Sequence, residues 1–169
     1  MTDVFKEQIV KRKQTGKDTL IRIALIVAVI AIFFIAFSLI PQFSPIITAA
    51  AAFGAFYLLS FRKIEYEYVF TNGELDIDII YNRSRRKRMF TVNVKSFEIM
   101  AHVEDMNHAG SFSNAQETRD YSSGETLANT YAFLVNKDGK QMKVIIEPNE
   151  KMLAAISSTM SRSKLHIRR

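Results

Sequence analysis

The chain has no cysteine, only six glycines and only three histidines in 169 residues. The first absence removes disulfide frameworks, thiol catalysis and every cysteine-based zinc site. So few glycines leave little material for a loop that cradles phosphate, and neither such a loop nor a Gly-x-Ser-x-Gly nucleophile turn occurs. His102 and His108, with Glu104 and Asp105 between them, match no standard zinc spacing, and His166 lies in a polar tail read as solvated. Enzyme activity needs a nucleophile or an acid/base pair with an orienting neighbour, which only the Glu104 to Ala128 run is left to supply, so the sequence reads as a non-enzyme without metal or cofactor. A large charge excess is missing too. The 23 Lys and Arg exceed the 17 Asp and Glu by only six, too few for a general nucleic-acid coat.

What is present begins with two apolar stretches. Between Leu20 and Ile40 only Arg22 is charged and only Ser38 is polar, and Ile46 to Phe61 carries no charge. The first has about the 20 residues that cross a hydrocarbon core. The second, taken back to Phe43, reaches about 28 Å at ~1.5 Å per residue. Pro41 to Pro45 joins them into a helical hairpin. A cleaved signal peptide fits poorly, because its apolar region runs only about 7 to 15 residues before a small-residue site, whereas Ala49 to Ala52 lie inside the second stretch.

Lys6, Lys11, Arg12, Lys13, Lys17 and Arg22 precede or open the first span, Arg62 and Lys63 follow the second, and the connection has no charge. Positive flanks stay inside. The expectation is a multi-pass protein of the cell membrane with both termini cytoplasmic. Arg22, near a span end, is read as an anchor whose guanidinium reaches the headgroups. Ser38, Thr48 and Arg22 are too few polar groups for a transport path. Ala50, Gly54 and the neighbouring alanines offer a small-residue face for packing the spans together, with homo-oligomer formation through the helices as its second use.

Residues 1–19 read as a basic cytoplasmic segment with a weak helical pattern in Met1, Val4, Phe5 and Ile9. After Phe61 the apolar period changes to two. Ile64, Tyr66, Tyr68 and Phe70 alternate with Glu65, Glu67 and Val69; Asn72-Gly73 predicts a type I′ turn; Leu75, Ile77 and Ile79 then alternate with Glu74, Asp76 and Asp78. A third strand is expected to pair Tyr81 with Arg88 across a loop at Asn82 to Lys87, with a corner at Lys95-Ser96. The polar run Glu104 to Ala128 is long for a loop and is either mobile or hides a short strand. Tyr131, Phe133 and Val135, a Lys137-Asp-Gly139 turn, and Met142, Val144 and Ile146 predict a further hairpin. Pro148 fits the first position of a closing helix with Met152, Leu153, Ile156 and Met160 on one face.

The order of "YEYVFTNGELDIDIIYNRSRRKRMFTVNVKSFEIM" and "IIEPNEKMLAAI" resembles the bacterial pleckstrin-homology-like (PH-like) domains that follow paired membrane helices. With its "FKEQIVKRKQTGKD" opening, the whole chain also resembles a family of uncharacterised bacterial two-span membrane proteins. The resemblance implies an α+β membrane protein: a transmembrane helical hairpin at 20–61, then an antiparallel PH-like β-barrel or sandwich with a C-terminal helix at 62–160, and a basic tail at 161–169.

Two charged groups are candidate binding sites. Arg83, Arg85, Arg86, Lys87 and Arg88 would lie at the membrane-proximal end of the domain, where anionic headgroups attract each basic residue by about 1 kcal/mol. Glu65, Glu67, Glu74, Asp76 and Asp78 share the outer phase of one hairpin and form a docking face for a basic protein partner. A flat strand lacks the cage of oxygens that calcium prefers. The aromatics Tyr66, Tyr68, Phe70 and Phe90 fall in the inward phase, which argues against nucleic acid. The reading is a membrane-anchored binding or scaffolding module that contacts the lipid bilayer and an unidentified protein partner. Its alternative is a nucleic-acid or acidic-ligand binder using residues 83–88.

Overall fold

A computed structural model describes residues 4–60 and 63–166. Phe61, Arg62 and Met1, each used in the sequence reading, lie outside the described residues, as does the tail beyond His166. The described residues form two compact units, one from 14–64 with 81–84 and the other from the remainder.

The first unit is built on α1 (Gly16–Leu39) and α2 (Ser44–Ser60), joined by a 3-10 turn at Pro41–Phe43. Helix α1 starts before the first expected apolar residue because Asp18 accepts a hydrogen bond from the Thr15 amide at 3.0 Å, capping the helix. On α2, Thr48 donates to the Ser44 carbonyl at 2.7 Å, so its hydroxyl is satisfied within the helix. Both helical segments are long and apolar enough to cross a membrane, and almost none of that apolar surface is covered by protein. The helices pack along Ile21, Leu25, Val29 and Ala36 of α1 and Ser44, Thr48, Ala51 and Ala55 of α2, the better-covered positions of each. The alanines that α2 contributes to this seam are Ala51 and Ala55. Ala50 is exposed, and a Cβ built on Gly54 would meet nothing within 4 Å, so within the expected small-residue face the neighbouring alanines make the contact and this pair does not.

The second unit contains two sheets. One has the order β1-β2-β3-β4, from β1 (Phe5–Lys11), β2 (Ile64–Thr71), β3 (Glu74–Tyr81) and β4 (Arg85–Asn93). The N-terminal segment, read as a helical or solvated flank, is thus an edge strand, antiparallel to β2 with Glu7 opposite Val69 and Ile9 opposite Glu67. Val10 points to the core, and Gln8 donates to the Glu147 carbonyl and accepts from the Asn149 amide, each at 2.7 Å. The β2–β3 turn is the expected one, with Asn72 and Gly73 at φ 50° and 95°. Gly73 is favoured there by its positive φ, and an added Cβ would also make a tight 3.2 Å contact with Thr159 Cγ2.

The β3–β4 connection corrects the expected loop at Asn82 to Lys87. It is a tight turn in which Asn82 and Arg83 both take positive φ, 48° and 56°, and the Ser84 amide bonds the Tyr81 carbonyl at 3.1 Å. Such a turn matches the natural twist of a hairpin, which offsets the cost of a left-handed arginine. Arg88 and Thr91 both bond Asp76, although a regular strand sends residues three apart to opposite faces. Strand β4 therefore shifts phase between them. The shift puts Arg88 outside while Phe90 and Val92 stay buried.

A 3-10 turn at Val94–Ser96, capped by the Asn93 side chain on the Lys95 amide at 3.0 Å, carries the chain to the second sheet, at the corner the sequence predicted. That sheet has the order β6-β8-β7-β5-β9, with β5 (Phe97–His102), β6 (Glu117–Asp120), β7 (Tyr131–Lys137), β8 (Lys140–Ile146) and β9 (Leu165–His166). The polar run after β5 does hide a strand, β6, parallel to β8. Five consecutive residues of β7, Tyr131 to Val135, are buried, because this strand is covered on both faces. Phe133 stacks on Phe97 at 4.0 Å between the sheets, and Phe112 packs with Ala101, Ala132 and Leu134 on the other side.

Among the described residues the two sheets stay separate and do not close into a barrel, because the corner crosses between them without a continuous ladder. Tyr68 ties them together: its hydroxyl donates to the Tyr121 carbonyl at 2.6 Å and accepts from the Glu147 amide at 3.2 Å. Helix α3 (Glu150–Thr159) packs against β1 and the corner turn. Its N-cap is Asn149, which accepts from the Met152 amide at 2.8 Å, so Pro148 precedes the cap instead of opening the helix. Met152 and Ile156 bury the expected face.

Candidate functional site

The outer face of the first sheet gathers most of the charged residues singled out in the sequence. Strand alternation sends Glu67 of β2 and Asp76 and Asp78 of β3 to this face, and the phase shift in β4 sends Arg88 to meet them. Arg88 forks between two carboxylates: Nη1 bonds Asp76 Oδ2 and Nε bonds Asp78 Oδ1, each at 2.9 Å. Arg86 Nη2 bonds Glu67 Oε1 at 2.7 Å, and Thr91 Oγ1 donates to Asp76 Oδ1 at 2.6 Å. The basic run and the acidic face, expected to serve two different partners, are in large part partners of one another.

Burial sorts these residues further. Glu67 and Asp78 are only 1% and 4% exposed, so neither offers a carboxylate for docking. Glu74 is exposed, Glu65 and Asp76 are half-buried, and Glu65 lies opposite Lys11. Arg85 and Lys87 are exposed with no carboxylate partner among the described residues, while Arg83 occupies the tight turn. The guanidinium of Arg88 is held above its ordinary pKa, chiefly by the hydrogen bond to Asp78.

Glu67 is the least comfortable member of the group. Among the described residues its Oε2 is buried with no hydrogen-bond partner. Burial pushes its pKa up and the neighbouring Glu7 carboxyl adds to the rise; Arg86 opposes it and Asp78 contributes further repulsion. Glu7 is the residue that sequence reasoning missed here. The period-two series Phe5, Glu7, Ile9, Lys11 was the available signal, because it places Glu7 on the same face as Glu67.

The other candidates take structural roles. His102 is buried; its Nδ1 accepts from the Glu104 amide at 3.2 Å, and its Nε2 bonds the Leu127 carbonyl at 3.0 Å. Both ring nitrogens are thereby occupied in tethering the segment between β5 and β7. His108 bonds Asp105 at 2.8 Å and stacks on His166 at 3.7 Å, so His166 is packed instead of solvated. Tyr66, Tyr68, Phe70 and Phe90 are buried in the inward phase that the alternation assigns them.

The model of the family described as "Bacterial PH-like domain (DUF6106)" matches residues 2–165. No curated protein and no solved structure matches the chain. The match covers nearly all of the sequence, and the chain belongs to this family.

Proposed function

We propose that this member of the bacterial PH-like family is a membrane-anchored binding and scaffolding module, held in the bilayer by α1 and α2 and presenting its sheets on the cytoplasmic side. The observation that carries the reading is the place of the helices in the chain: they lie between β1 and β2, which are neighbours in one sheet with Lys11 opposite Glu65. Strands that share a ladder lie on one side of a bilayer, so the hairpin crosses twice or not at all. The uncovered apolar surface of both helices favours two crossings, and the basic flanks favour an inward-facing domain.

Within that reading, Arg85 and Lys87, with Arg83 in the turn, contact anionic headgroups, and the exposed rim around Glu74 is left for a protein partner. Arg86 and Arg88 are left out of this lipid set, since each already holds a buried carboxylate.

The chain's lack of cysteine makes the test clean, since single-cysteine variants carry no background. Gln42→Cys, between the helices, is expected to react with an impermeant maleimide on intact cells, and Asn107→Cys only after permeabilisation. Reaction of both from the same side overturns the anchor. A fluorophore attached to the thiol of the Asn107→Cys variant then reports the distance to labelled headgroups in nanodiscs. The distance is expected to lengthen when anionic lipid is omitted or when Arg85 and Lys87 become Ser. No change in either case overturns the lipid contact.

A further inference from the structure

The helical unit contains a cavity of about 350 Å³ where the start of α1, the end of α2 and the β3–β4 turn meet. This is near the lower end of the ~300–1,000 Å³ range of small-ligand pockets. Its wall is divided by chemistry. Arg22 and Lys63 supply two cations, Phe56 and Leu59 supply an apolar strip, and Asp18 supplies one carboxylate.

Several contacts hold the polar side in place. Arg22 Nη2 donates to Gln14 Oε1 at 2.9 Å, which uses one of the five guanidinium donors. The Lys63 carbonyl accepts from the Asn82 amide at 2.8 Å, fixing the backbone from which the lysine extends. Asp18 caps α1 at Thr15, so its charge is offset by the amide end of the helix. The cavity thus keeps a cationic excess beside an apolar strip.

We infer that this cavity binds the phosphodiester of a membrane phospholipid, with Arg22 and Lys63 on the phosphate oxygens and Phe56 and Leu59 along the glycerol and first acyl methylenes. A phosphodiester carries one negative charge, which the two cations of the wall can neutralise with Asp18 turned to the helix end. A guanidinium suits it because its planar fork can present two donors to two oxygens. The apolar strip distinguishes a lipid from a free phosphate ester, whose remaining surface would gain nothing there. The inference rests on the membrane reading above, because a bilayer lipid reaches Phe56 and Leu59 only if the helices are inserted. It assigns Arg22 a bound ligand instead of a general affinity for headgroups.

The test uses the full chain, extracted in mild detergent and examined by native mass spectrometry for retained phospholipid. The wild type is expected to retain one phospholipid, and the Arg22→Gln/Lys63→Gln variant to retain at least tenfold less. Arg22→Lys, which keeps the charge that orients the hairpin but loses the fork, is expected to fall between them. Retention unchanged in both variants overturns the inference. The Gln42→Cys labelling is repeated in each variant, so that loss of lipid through misinsertion is recognised as such. If sn-glycerol 3-phosphate displaces the lipid at equal concentration, the cavity is a soluble phosphate site and the lipid assignment fails. If the labelling shows no insertion while the ester still binds, the membrane reading fails independently of the cavity.

Discussion

The two sheets solve the same problem with different materials. Both turn one face to the shared layer of Phe90, Phe97 and Phe133. The other face of the second sheet is covered by carbon: Phe112 closes over Ala101, Ala132 and Leu134. The other face of the first sheet is covered by charge, with Arg86 and Arg88 lying over Glu67, Asp76 and Asp78. An apolar cover holds nearly equally well at any ionic strength, and its removal leaves a hollow. An ionic cover depends on salt and pH, and its removal leaves a buried carboxylate without a partner. Charge that looks in sequence like a surface for others can be the lid of its own sheet.

The layer common to both faces sets the scale for breaking this contrast. Phe133→Ala is expected to cost about 3–5 kcal/mol in denaturant unfolding of the detergent-solubilised chain, since the ring is fully buried and stacked on Phe97. Phe112→Ala comes next at about 2–3 kcal/mol, because the ring lies at the margin of its cluster and the site can partly collapse. Hydrogen exchange should rise in residues 104–120 and stay unchanged in β2 and β3, and the loss should be the same in low and high salt. A loss in Phe112→Ala that shrinks with salt would show that the cover is not simply apolar.

Arg88→Ala is expected to cost about 1–2 kcal/mol. The guanidinium is more than half exposed, which discounts the pair, yet Asp78 beneath it is buried. Raising the salt concentration should narrow the gap to wild type, the response that separates this cover from that of Phe112.

The smallest effect has the opposite sign. Because the pKa of Glu67 is raised in the folded chain, folding binds its proton more tightly than the unfolded chain does. That contribution is fully present below the unfolded pKa and is lost as pH climbs through the folded value. Glu67→Gln keeps an oxygen for Arg86 and removes the charge, so it should be about 0.5–1 kcal/mol more stable than wild type near pH 7. Thermal unfolding at pH 4 and pH 7 checks this. A variant that is less stable at pH 7 would show that the Arg86 ion pair outweighs the burial.

Much of this architecture is legible in the sequence wherever local pattern and tertiary need agree. Asn72-Gly73 with its flanking alternation specifies the first hairpin, Lys95-Ser96 marks the corner, and Met152 and Ile156 mark the buried face of α3. The missed elements lack that agreement. Strand β1 carries Glu7 and Lys11 beside Phe5 and Ile9 on one face, and its inward residues include polar Gln8, so its alternation does not separate apolar from polar residues. Strand β6, Glu-Thr-Arg-Asp, has no apolar residue and exists because β8 offers it an edge. The Asn82-Arg83 turn contains no glycine, so its positive φ values were hidden. Of the candidate site, the charges were visible and their mutual pairing was not, because the phase shift in β4 decides which arginines face the carboxylates.

The placement of the helices between β1 and β2 also sets an order of events during synthesis. Strand β1 leaves the ribosome well before its partner, with residues 12–63 still to come. A bare edge strand with exposed Phe5 and Ile9 is a poor companion for a translating chain. Its ladder can form only once both helices have emerged and β2 has followed, so under the proposed two crossings completion of the first sheet requires that the hairpin has returned to the side from which it started. On the proposed membrane reading, a chain whose second helix fails to cross back leaves β1 and β2 on opposite sides, unpaired and exposed to proteolysis.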